Sequence, residues 1–130
     1  RRTEQVMPAH ARLAAGTYPD LKKLTEGKYG RVKIGHNTTA ELDDDSKVIV
    51  IRLHGHAIVK LTPMYDGSHI KTEFTMCGYG TPTTRHRINH FLPPELSLSQ
   101  SCYKQILTWP GGSKVISTTS LHNADDYLPH

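Results

Sequence analysis

Long apolar runs are missing from this chain. No stretch approaches the roughly 18 to 20 apolar residues that cross a bilayer as a helix, and the mean hydropathy is -0.50. A helical membrane protein is therefore excluded. Cysteine is equally scarce: Cys77 and Cys102 stand far apart, without CxxC or Cys-His ligand spacing. A disulfide scaffold or a zinc knuckle does not fit that usage, and two half-buried free thiols are expected, a single bridge being the alternative. Internal repeats and low-complexity tracts are absent. The first twenty residues interleave polar groups and Pro8 after two arginines, so the uninterrupted apolar stretch of a signal peptide is lacking and a cytoplasmic protein is expected.

What is present suits one domain. A chain of 130 residues buries roughly two-thirds of its unfolded surface, enough for a core without staples. The net charge of +4 is concentrated at the amino end, where Arg1, Arg2, Arg12, Lys22, Lys23, Lys28, Arg31 and Lys33 are scattered. That dispersion is weaker than a nucleic-acid-binding arm.

Residues 1–28 mix helix formers with Pro8, Gly16 and Pro19 and are expected as a leader, either mobile or with a short helix around Ala9 to Ala15. Residues 29–130 are expected as a single α+β domain. RVKI alternates basic and apolar side chains, Gly35 to Asn37 is turn-like, and SKVIVIRL, HAIVKL and HIKTEFTM read as strands, with PMYDG as a turn. SCYKQILTW and SKVIS, separated by PGG, supply further strands. Between HIKTEFTM and SCYKQILTW, Thr81 is a good N-cap, Pro82 suits the first helical position, and Pro93 stops the chain, so a helix is predicted from about Pro82 to Leu92. Thr84, Ile88, Phe91 and Leu92 form its apolar stripe, with Arg85 and Asn89 adjacent. The expected architecture is an antiparallel sheet of about five to six strands with one main helix packed across it.

Catalytic signatures are weak. His54 and His56 form HGH, which on a strand would put both rings on one face, and His86 and His90 lie four apart. No third ligand can be named, and the glutamate of HExxH is absent. HNT at 36–38 resembles half of a paired hydrolase signature without its second copy. Asp43 to Asp45 lack the spaced oxygen ligands of a calcium loop. The residues do not support an enzyme, a cofactor or a metal.

The loop and helix GYGTPTTRHRIN have a chemistry that suits phosphate-bearing ligands. Gly78 and Gly80 would let backbone approach a ligand. The helix start offers free N–H groups and roughly half a positive charge, and Thr83, Thr84, Arg85 and Arg87 add donors. Tyr79 between the glycines could stack on a base. The plain alternative is a capped helix with a solvated face and a core tyrosine.

The order VIRLHGHAIVKL, an extended segment, then CGYGTPTTRHRIN resembles a family of small phage proteins, the Thoeris anti-defence sponges that sequester glycocyclic ADP-ribose signals. The resemblance covers about residues 29–109, most specifically Tyr79 to Asn89. It implies a protein acting in the host cell cytoplasm that binds a cyclic nucleotide messenger, some relatives also taking cyclic trinucleotides, without cleaving it. By position, Tyr79 takes the place of the aromatic that stacks on adenine and Asn89 that of the ligand-bonding asparagine, with Arg85 and Arg87 between. Cys77, Gly80 and the choice of Tyr at 79 depart from that pattern. A homo-oligomer, dimer or hexamer, is implied as well. At least a dimer is expected independently, because VIVI at 48–51 is apolar on both faces and one helix covers one face; the alternative is that residues 1–26 fold back as a second helix and cover the other face within one chain. A phage structural or assembly protein and a small nucleic-acid-binding protein are the alternatives.

Overall fold

Side-chain alternation over residues 31–74, interrupted by register shifts at Lys33/Gly35 and at Ile51/Arg52, makes a meander in which each strand pairs with the next. The computed structural model describes residues 16–27 and 31–128. Its strands are β1 (Arg31–Gly35), β2 (Thr38–Leu42), β3 (Ile49–Leu53), β4 (His56–Met64), β5 (His69–Phe74), β6 (Ser97–Ser101), β7 (Lys104–Trp109), β8 (Gly112–Ile116) and β9 (His122–Asn123). The helices are α1 (Tyr18–Thr25) and α2 (Pro82–Phe91). Two antiparallel sheets result, one of six strands in the order β1-β2-β3-β4-β5-β9 and one of three in the order β6-β7-β8. The α+β class and the antiparallel sheet agree with expectation, whereas the single sheet and single main helix are corrected to two of each among the described residues.

Register explains which side becomes core. Val32, Ala40, Ile51, Val59, Phe74 and His122 are successive cross-strand partners along one row of the large sheet. Ala40, Ile51, Val59 and Phe74 are buried in it. The next residue along each strand faces the other way: Arg31, Glu41, Val50, Lys60, Glu73 and Asn123 form the parallel row. That row carries ion pairs Arg31–Glu41 at 3.7 Å, and neighbouring Arg52–Glu41 at 3.5 Å and Lys71–Glu73 at 3.9 Å. Val50 is the one apolar residue among alternating charges. The face expected to need a partner is thus a solvated, charge-laced surface, and covering VIVI gives no reason for a second chain.

Helix α1 lies within the expected leader. Pro19 sits in its first turn beside Asp20, where the missing N–H costs nothing and the carboxylate meets the positive helix end. Leu21 is fully buried, and α1 touches β1, β2 and β3. The Tyr18 hydroxyl donates to the Lys47 carbonyl, and its pKa is raised by burial and then by the charge of Glu26. The helix expected around Ala9 to Ala15 lies outside the described residues.

Other corrections concern turns. Three of them place two successive residues at positive φ, the pair that type I′ hairpins demand: His54 and Gly55, Cys77 and Gly78, Cys102 and Tyr103. HGH therefore does not lie on one strand; His54 is in the turn and His56 opens β4. The expected strand SCYKQILTW is split, with Cys102–Tyr103 as the hinge between β6 and β7. Pro63 continues β4 beyond its pairing with β3, where the absent N–H removes no ladder bond to that strand. Both thiols are free, Cys77 half-buried and Cys102 exposed.

Tyr103 is 95% exposed at φ 66. Replacing it by Gly relieves a left-handed cost of about 1 to 2 kcal/mol against an unfolded-state entropy penalty of about 0.5 to 1 kcal/mol. Tyr103→Gly should therefore raise the urea midpoint slightly at unchanged slope, whereas Tyr103→Ala should not; a loss of stability in the Gly variant contradicts this account.

Candidate functional site

The turn at Cys77–Gly78 sends the chain from β5 toward α2. It is closed by the Tyr79 amide donating to the Met76 carbonyl at 2.8 Å, and the Gly78 amide donates to the Thr118 carbonyl at 2.8 Å. Gly78 is favoured by its φ of +83, and a Cβ there would make only an ordinary contact with the Thr119 methyl at 3.9 Å. Gly80 is small for another reason: a Cβ there would meet the Gln105 amide nitrogen at 3.0 Å. Neither observation makes Gly80 a point of ligand approach. The Cys77 thiol donates to the Ala57 carbonyl at 3.1 Å, and burial raises its pKa.

Helix α2 then begins as its caps dictate. The Thr81 hydroxyl accepts from the Thr84 amide at 3.2 Å, its side chain meets the Thr84 hydroxyl at 2.9 Å, and Pro82 occupies the first turn. In front of this helix start lies a cavity of about 420 Å³. Leu53, Ile58 and Met76 give it an apolar floor, His54, His56 and Tyr79 an aromatic wall, and Thr81, Thr83 and Thr84 a hydroxyl edge. The His56 and Tyr79 rings have centroids 4.9 Å apart, tilted by 40°. Tyr79 keeps half its surface exposed. The cavity therefore combines a flat-ring platform with a helix N-terminus, two features suited to a heterocycle bearing an anionic group.

Of the residues expected at a ligand, Tyr79, Thr83 and Thr84 line this cavity together. Arg85, Arg87 and Asn89 are not among its lining residues and hold the helix in place. Arg85 Nη1 donates to the Gly80 carbonyl at 3.2 Å, to Gln100 Oε1 at 2.8 Å and to Gln105 Oε1 at 3.1 Å. Arg87 is fully buried, and burial lowers its pKa. Its guanidinium donates to Thr38 Oγ1 at 2.8 Å and to the His36 carbonyl at 3.2 Å. The Asn89 amide donates to the Leu98 carbonyl at 2.8 Å and accepts from the Leu98 amide at 2.7 Å. Asn89 thus pairs with the outer edge of β6 as one residue of a neighbouring strand would.

Sequence reasoning missed His54, His56 and the apolar floor as parts of one site. HGH stood out, but as a metal pattern; among the described residues no group of three or more possible ligands gathers. The buried Arg87 had a signal in the helix period. Thr84, Arg87, Ile88 and Phe91 stand at i, i+3, i+4 and i+7, and all four are buried.

Fold and cavity together define a small α+β protein with a ligand-sized hollow at a helix N-terminus. Residues 22–123 match the Kyanoviridae Gp96 protein model, and the chain belongs to that family of phage proteins. No curated protein and no solved structure matches it.

Because Asn89 satisfies both polar groups of Leu98, Asn89→Ala should destabilise the domain by about 1 to 3 kcal/mol, lowering the urea midpoint. A stable variant with only weakened ligand binding would return Asn89 to the ligand.

Proposed function

We propose that this phage protein binds a nucleotide-type small molecule in the cavity at the start of α2 and withholds it, uncleaved, from its receptor. The observation that supports this most is the placement of the Tyr79 and His56 rings beside the hydroxyl edge of Thr81, Thr83 and Thr84. A base stacked on an exposed ring gains about 1 to 3 kcal/mol, and a phosphate gains from the helix start. None of the nine lining residues is a carboxylate or a thiol, so the lining offers no acidic general base and no sulfur nucleophile.

The resemblance to the Thoeris anti-defence sponges names the first ligands to test, messengers of the glycocyclic ADP-ribose type and then cyclic trinucleotides. The role is then anti-defence in the host cytoplasm. Arginine and lysine are also missing from the lining residues, so phosphate recognition falls to hydroxyls, backbone and imidazoles. Assembly into a dimer or hexamer belongs to the same proposal, with a neighbouring protomer completing the pocket.

Thermal-shift screening against cyclic ADP-ribose isomers and cyclic oligonucleotides should yield at least one stabilising ligand, recovered intact after the protein is denatured. Tyr79→Ala and His56→Ala should each weaken it about tenfold, the equivalent of one lost stacking contact, with the melting temperature of the free protein little changed. A screen without any hit, or recovery of a cleaved product, refutes the proposal. Light scattering with ligand bound tests assembly separately: a mass near 14.6 kDa would place the whole site in one chain.

A further inference from the structure

A second cleft, of about 510 Å³, lies at the β7–β8 hairpin and has no lining residue in common with the first. Trp109 ends β7 and Tyr127 comes from the 3-10 turn Ala124–Tyr127. Their ring centroids are 5.1 Å apart with planes at 46°, giving an angled wall of two half-buried aromatics. The hairpin glycines make room for the indole. A Cβ on Gly111 would meet Trp109 Nε1 at 3.3 Å, and one on Gly112 would meet Cζ2 at 3.5 Å. The indole is thereby seated against the turn.

Two charged groups of opposite sign stand at this wall. Lys114 Nζ lies 5.3 Å from the Tyr127 ring centroid, positioned by the ring's negative face, and Asp126, an exposed residue, lines the same cleft. An anionic ligand would gain from Lys114 and be repelled by Asp126, and a cation the reverse, so the pair selects against net charge of either sign. A neutral ring bearing several hydroxyls uses both. Its O–H groups donate to the Asp126 carboxylate, its oxygens accept from the Lys114 ammonium that covers the Tyr127 ring, and its C–H face packs on the Trp109 indole. We propose that this cleft is a binding site for a neutral saccharide. The inference is independent of the ligand in the α2 cavity.

Trp109 is the single tryptophan of the chain, so its emission reports on this cleft alone. The full chain is titrated with neutral disaccharides, maltose, cellobiose, lactose and chitobiose, into the millimolar range. At least one should produce a saturable change in emission. Asp126→Ala and Lys114→Ala should each weaken that sugar about tenfold, as loss of one charge-assisted hydrogen bond does, while circular dichroism shows both variants folded. Asp126→Asn, which keeps an acceptor oxygen, should recover part of the affinity. The proposal is overturned if no neutral sugar gives saturation, if both Ala variants respond like the parent, or if only sulfated or amino sugars bind. Saturation by a proline-rich peptide in place of every sugar would overturn it too, making the wall a protein-docking surface.

Discussion

A guanidinium buried without exposed surface dictates how the rest of this domain is arranged. Taking a charge out of water is costly unless its donors are used, and Arg87 uses them on the Thr38 hydroxyl and the His36 carbonyl. Those acceptors belong to β2 and to the turn before it, far from α2 in sequence. The helix is thereby fixed to one end of the large sheet, while Asn89 fixes it to the small one through Leu98. Arg85 adds a third attachment through Gln100 and Gln105. With its body clamped between two sheets, the helix can present its N-terminus at a constant position over the apolar floor of Leu53, Ile58 and Met76.

These polar struts change what the basic residues of the helix mean. In an isolated loop-helix motif, Arg85, Arg87 and Asn89 look like ligand donors, since nothing in a linear string competes for their hydrogen bonds. In the folded chain the competitors are backbone groups and amides from segments distant in sequence. Tyr79, Thr83 and Thr84 remain facing the cavity because they sit on the turn and first helical turn, before the struts begin. Of the loop-helix motif, the aromatic and hydroxyl half lines the cavity in this fold.

Much of the frame was legible in the residues. Thr81, Pro82 and Pro93 delimit α2 by local sterics and capping, and alternation over RVKI and HIKTEF and the β-branched run VIVI mark strands, because these signals act within a few residues. Less local features were hidden. Pro19 was taken for a breaker although it opens α1. The Cys102–Tyr103 turn adopts a left-handed pair without the Gly or Asn that usually announces one. Val50 faces Glu41 and Lys60, a fact set by cross-strand register, which no single strand reveals. The direction of Arg87 was available from helical spacing, but a long cationic side chain is ordinarily assigned to solvent.

The strand β9 gives the topology an order in time. From β1 to β5 every pairing joins sequence neighbours across short connections, so each hairpin can form with little loop entropy to overcome. The match of Glu73 with Asn123 and of Phe74 with His122 instead spans the whole of α2 and the small sheet. That closure becomes favourable once the intervening segment has compacted, which makes the meander the early structure and the two-residue β9 a latch. In the native state the same latch, reinforced by the His69–Asp125 contact at 2.9 Å, is a short element at the sheet edge whose release leaves the meander pairings intact. Amide protons of β9 should accordingly exchange by local opening while those of β3 and β4 wait for global unfolding.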